Sequence, residues 1–195
     1  MCFSEKASLV AFVAGMSGSL LCFLRRSPKH AIVGLFFAFV TLMQLIDYLL
    51  WRHKTCDEYN KTVSKIGMIL NHLQPLFLAL LIAWYLPNAN KTAIIAISLV
   101  YLTFIVPYSL KYLQNPECSI KGQNGWAWTG MNGFITTYTI FIACMVALSS
   151  FIDPLVGPCV SFFTFLLSRL LYSKQSGAVW CYFVVAIPSL YGMFY

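Results

Sequence analysis

Five polar side chains interrupt two long apolar runs of this 195-residue chain: Gln44 and Asp47 within residues 41–51 (TLMQLIDYLLW), and Asn71, His72 and Gln74 within residues 66–86. A carboxylate and an imidazole can take up and release protons, the imidazole near neutral pH, and the three amides can hydrogen-bond a polar solute or ligate an ion. In runs this apolar such groups are costly, and ionisable side chains at membrane depth normally face a protein interior or a wet path. They are therefore the first candidates for function.

Their depth follows from helix geometry. At 1.5 Å per residue, Gln44 and Asp47 lie roughly 6 to 10 Å inside the end of the second apolar segment, and Asn71 to Gln74 roughly 8 to 12 Å inside the start of the third. Tyr108, Asn132, Ser168 and Arg169 fall near the same level in later segments, so the pattern predicts a polar vestibule opening on the side of the N-terminus. Asp47 and Arg169, each ~6 Å inside parallel segments, are expected to pair as its floor or gate. The competing reading is that Ser, Thr, Asn and Gln act as interhelical glue, at about 0.6 kcal/mol per bond.

The elements that must position these residues are apolar helices. Hydrophobic residues make up 59% of the chain and charged residues 10%, with a mean hydropathy of +0.75. That is far from the roughly 25% charged of an ordinary soluble domain. Seven apolar segments, at about 7–24, 31–51, 66–86, 91–113, 128–150, 154–173 and 177–195, each approach the ~20 residues that cross a bilayer. Breakers separate them: Arg25-Arg26-Ser27-Pro28, Pro87-Asn88, Asn115-Pro116, Asp153-Pro154 and Ser176-Gly177. The expected fold is an all-α integral membrane protein, seven transmembrane helices in one bundle spanning residues 1–195, with a 3+1+3 repeat as a possible arrangement. The two glycine pairs Gly15/Gly18 and Gly130/Gly133 read as close-packing surfaces. The five tryptophans lie at or near segment ends, as interfacial anchors do.

The formal charge of +7 would suggest nucleic acid in a soluble chain. Here the Lys and Arg residues sit in short loops, where topogenesis and lipid phosphates account for them, and no nucleic-acid partner is expected. Orientation has two opposed signals. The summed loop charge favours a cytosolic N-terminus, whereas Arg25, Arg26 and Lys29 after the first segment favour an outside one. Cys56 and Cys118 lie in the two longer loops on the N-terminal side, where a disulfide would require a non-cytosolic compartment. Orientation with the N-terminus outside and the C-terminus cytosolic is the expectation, with a Cys2 to Cys181 bridge as a weaker companion.

The opening Met1 to Ser8 (MCFSEKAS), the stretch MQLIDYLLW at 43–51 and the pair Trp180-Cys181 together resemble a family of small multi-span proteins beginning Met-Cys-Phe-Ser, from large DNA viruses and bacteria. The resemblance implies a single membrane domain and little else; no activity is assigned to that family, so no residue role carries over. Other seven-span chemistries fit poorly. The last segment has no Lys for a retinal Schiff base, and Gln74-Pro75 reverses the Pro-Gln of the PQ-loop carriers. His30 and His53 read as loop residues, so His72 is the single imidazole in a span, short of the usual three ligands of a hydrolytic zinc. The functional expectation is a transporter or channel for a small polar solute or ion, in contact with the lipid bilayer and without cofactor or metal. Two alternatives stay open: an intramembrane lipid hydrolase using Asp47 and His72, and a structural or receptor-like viral membrane protein.

Overall fold

The computed structural model describes residues 4–122, 125–127, 135–171 and 176–194. Helices α1 (Glu5–Phe23), α2 (Pro28–Arg52), α3 (Glu58–Tyr85) and α4 (Lys91–Gln114) are followed by a hairpin of β1 (Ile120–Gly122) and β2 (Gly125–Ala127). Helices α5 (Ile135–Ser149), α6 (Val156–Leu171), α7 (Ser176–Phe183) and α8 (Ile187–Phe194) complete the chain. The fold is all-α apart from that hairpin. Helices α1 to α4 are long and apolar enough to cross a membrane; Tyr138–Ser149, Val156–Leu170 and Val179–Phe194 are shorter apolar helical stretches.

Caps set the starts. Ser4, Ser27, Asp57 and Asn90 each accept a hydrogen bond from the backbone N–H three residues on, and Pro28 occupies the first turn of α2, where its missing N–H costs nothing. Three boundaries differ from the hydropathy pattern. Helix α3 begins at Glu58, eight residues before the apolar run, because Asp57 caps a polar stretch that continues the helix outward. At ~1.5 Å per residue this helix is about 42 Å long, more than the ~30 Å apolar core of a bilayer needs. The loop after α4 carries an antiparallel hairpin, paired Ile120 to Ala127, Lys121 to Trp126 and Gly122 to Gly125, where only loop was expected. The last segment is not one helix. Residues Val184–Ala186 tighten into a 3₁₀ turn, and Pro188 has no N–H to return to the Val184 carbonyl. His30 lies inside the first turn of α2 and is buried, so it is not a loop residue.

Helix α2 is the central element, packed against α1, α3 and the α7–α8 segment. The approach of α1 is close because its inward face is small: Ser8, Ala11, Gly15, Gly18, Ser19 and Cys22. A Cβ on Gly15 would lie 2.5 Å from Thr41 Oγ1, and one on Gly34 would lie 2.7 Å from the Ser19 carbonyl and 2.8 Å from the Phe23 nitrogen. Gly18 meets Ser189 of α8 in the same way. Helix α4, by contrast, leaves Ile95, Leu99, Val100, Val106 and Leu110 exposed on its outer face. Trp180 is no interfacial anchor: it is buried, edge-on to Phe141, and donates to Thr164 Oγ1 at 3.0 Å.

Backbone cannot yield as a side chain can, so Gly34→Ala should destabilise the fold by about 1 to 3 kcal/mol through overpacking. Gly192→Ala is the matched control, because its nearest contacts, on Cys22, begin at an ordinary 3.4 Å. Equal thermal unfolding midpoints for the two variants in detergent would refute the close α1–α2 seam.

Candidate functional site

Gln44 and Asp47 stand one helical turn apart on the inward face of α2, and both have no exposed surface. Asn71 and Gln74 share one face of α3 by the same spacing; Asn71 is 2% exposed and Gln74 is fully covered. From α7 the Cys181 thiol, also without exposed surface, lies against the Gln74 amide and in the field of Asp47. Three elements thus bring Gln44, Asp47, Gln74 and Cys181 into one layer. Since Gln44, Asp47 and Gln74 expose nothing, no space large enough for water touches them. The layer is dry and close-packed rather than lining an open vestibule.

His72 belongs elsewhere. Two residues from Gln74, it is turned about 200° around α3, and its Nδ1 shares a 2.8 Å hydrogen bond with Ser109 Oγ of α4. Tyr108 stands edge-on to its ring at 5.7 Å, and Tyr101 Oη donates to its carbonyl at 2.8 Å. Asp47 and His72 therefore do not form the expected acid–base pair. The amide of Gln74 has no hydrogen bond of ordinary length among the described residues. Immediately after it, Pro75 supplies no N–H to the Asn71 carbonyl, which relaxes the α3 ladder at this level.

Counting along the helices puts Asp47 and Arg169 at one level, and a direct ion pair between them is not among those formed by the described residues. The ion pairs among the described residues are Arg52 with Glu5, His53 with Asp57 and Lys61 with Glu58. Arg169 is exposed on α6, and its field acts on Tyr138 of α5, which in turn feels Cys181. Ser168 is buried, but its hydroxyl donates back to the Thr164 and Phe165 carbonyls of its own helix. Asn132 lies outside the described residues. No three His, Cys, Asp or Glu side chains come together as a metal site among the described residues.

A cap covers the N-terminal side of the layer: its hairpin was not expected from the sequence pattern, but the disulfide that ties it down was. Cys56 and Cys118 form a disulfide with Cα atoms 5.6 Å apart. Cys181 is a free thiol, so no bridge joins it to Cys2. Beside the disulfide, the Ser119 N–H donates to Asn60 Oδ1 at 2.9 Å and Ser64 Oγ at 3.1 Å, pinning the chain before β1 onto the first turns of α3. Asn60, the first residue of the sequon Asn60-Lys61-Thr62, is only 1% exposed. Hairpin residue Lys121 then reaches the Trp51 ring at 5.1 Å, with Lys54 at 5.5 Å, and β2 touches α7. Trp51 is one turn beyond Asp47 on α2, so the hairpin closes over the three helices that build the layer.

The rim carries one more local device. Thr55, His53 and Asp57 hydrogen-bond one another, with His53 Nε2 2.5 Å from Asp57 Oδ2. The His53 bond chiefly, then the Asn60 N–H, hold the Asp57 carboxyl at about 2, below its usual 3.8.

Comparison with protein-family models gives no match, and neither do curated proteins or solved structures.

Two outcomes follow for the cap. Reducing the Cys56–Cys118 bond, which closes a 62-residue separation, should cost about 4 kcal/mol in the chain-entropy account, read as a drop in unfolding midpoint with reductant. An unchanged midpoint and a mass showing two free thiols would remove the clamp. Because Asp57 has a depressed folded value, its stabilisation is complete above pH 3.8 and is lost as the pH falls through about 2. The Asn60 amide resonance, whose N–H it accepts, should therefore titrate near 2; a midpoint near 3.8 would contradict the His53 contact.

Proposed function

We propose that the chain is a seven-span membrane bundle with its N-terminus outside, and that it carries a small polar solute or ion past Asp47, the titrating member of the buried layer. The observation that supports this most is the place of Asp47. Its covered carboxyl sits with Gln44, Gln74 and Cys181 at the seam of a proline-relaxed helix and a last segment interrupted at Val184–Ala186. Interrupted and proline-broken spans at such a level are where carriers place their substrates and coupling ions. In this reading the structure is an occluded state, and transport requires the layer to open alternately.

The disulfide supports the orientation, since such a bond persists in oxidising compartments. The outward face then carries the hairpin cap, and Arg25, Arg26 and Lys29 lie on the cytosolic side, as the positive-inside rule asks. The turn of His72 toward Ser109 takes the acid–base pair from the lipid-hydrolase alternative.

Purified protein in proteoliposomes, given a panel of small solutes and cations under imposed pH gradients, should move at least one of them. Asp47→Asn should lose most of that flux, while Asp57→Asn in the exposed rim should keep it. No flux for any member of the panel, or full flux in Asp47→Asn, would end this reading. A cysteine label placed at Lys61 should react from outside and a reporter after Tyr195 should be cytosolic; the reverse pattern would invert the orientation.

A further inference from the structure

Away from the polar layer, a half-open cleft of about 70 Å³ lies between α2, α5, α6 and α8. Val33, Phe36, Phe37, Met145, Val160 and Ile187 are among its walls. A smaller cavity of about 20 Å³ shares several of these residues and continues inward to Val40 and Trp180. The pair forms one apolar slot. It begins at the α5–α6 turn, where Asp153 lies on its edge, and ends one helical turn short of Gln44, on the side opposite the hairpin.

The mouth is flanked by cations. Lys29 acts on Asp153, whose Oδ1 is already engaged by the Leu155 and Val156 N–H groups at 3.0 and 2.8 Å. On the other flank Tyr191 lines the slot, the His30 ring packs on Tyr191 at 5.1 Å, and the field of Arg25 reaches His30. Lys29, Arg25 and the intervening Arg26 are all exposed, against the single carboxylate of Asp153. An apolar slot at hydrocarbon depth offers water too few polar partners to hold it, but takes a methylene chain. A basic rim at its interfacial end matches a phosphate, and the cytosolic leaflet is where anionic lipids are concentrated.

We infer that this slot takes a short stretch of methylenes from one acyl chain of an anionic phospholipid, the rest of the chain lying outside the half-open cleft and its phosphate near Lys29 and Arg25. This rests on the membrane reading and is independent of transport. The site is structurally separate from the Asp47 layer, with Trp180 at its inner end.

The test uses the whole protein in phosphatidylcholine vesicles containing a trace of phosphatidylglycerol with a photoactivatable tail. Mapped by peptide mass spectrometry, the label should fall on Met145 and Val160. It should weaken several-fold in the double variant Arg25→Gln with Lys29→Gln, which keeps Arg26 on that face, and in Val160→Trp, which fills the slot. Labelling of outward residues such as Leu99 and Leu110 should stay constant as the internal standard. The site is overturned if label appears on the outer faces alone, or if the double variant labels the slot as strongly as the parent chain. Equal labelling by a phosphatidylcholine probe would overturn the anionic headgroup, and stronger labelling by a photoactivatable free fatty acid would overturn the phospholipid.

Discussion

Keeping the Asp47 carboxyl, the Gln44 and Gln74 amides and the Cys181 thiol away from any water-sized space is the constraint on which the rest of the architecture depends. Covered polar groups are tolerable only when the surrounding helices leave no gaps and fix each side chain's neighbours. Helix α2 therefore has to be enclosed on every side. Helix α1 manages this through its small face, where Gly15 and Gly34 let backbones approach closely. The α7–α8 segment lies against α2 on another side and supplies Cys181. Above, the hairpin is held over Trp51 by a disulfide and by Ser119 on α3.

What the sequence could reveal was set by which forces are local. Helix starts at Ser4, Ser27 and Asn90 follow from capping chemistry within three or four residues, and the level of Gln44, Asp47, Asn71 and Gln74 follows from counting along helices. The start of α3 at Glu58 was not legible from apolarity, because hydropathy marks the depth of a hydrocarbon layer and not the end of a helix. Its signal was Asp57 followed by Glu58, an N-cap with an acidic first turn. The hairpin was signalled only by Gly122 and the Asn124-Gly125 pair between short strands.

Partner choice was the least legible property, since it depends on which helices adjoin. Asp47 and Arg169 were placed at one level by counting, yet a shared level does not say which helices adjoin, and their direct ion pair is not among those formed by the described residues. His72 and Gln74 are neighbours in sequence and opposite in space, a consequence of the helical repeat that counting depth alone ignores. The same repeat, applied to α3, would have separated them beforehand. Ser168 shows a further limit: a hydroxyl on a helix can satisfy itself on the carbonyl four residues back, and no pattern of spacing tells whether it does.

The distribution of tight and loose joints limits how the layer could open. The α1–α2 seam contains backbone approaches that cannot slide without collision at Gly34. The first turns of α3 are tied to the hairpin by Cys56–Cys118 and by Asn60 and Ser64, so an outward tilt of α3 would have to carry the cap with it. The α7–α8 segment is tied at both ends of its interruption rather than across it: its backbone ladder breaks at Val184–Ala186, Trp180 is fixed to α6 through the hydroxyl of Thr164, and Ser189 of α8 meets Gly18 of α1. A rotation of α7 with α6 about that interruption would draw Cys181 away from Gln74 and Asp47 while leaving the α1–α2–α3 frame in place. In the transport reading, α7 is thus the moving wall, and the disulfide holds the fixed one.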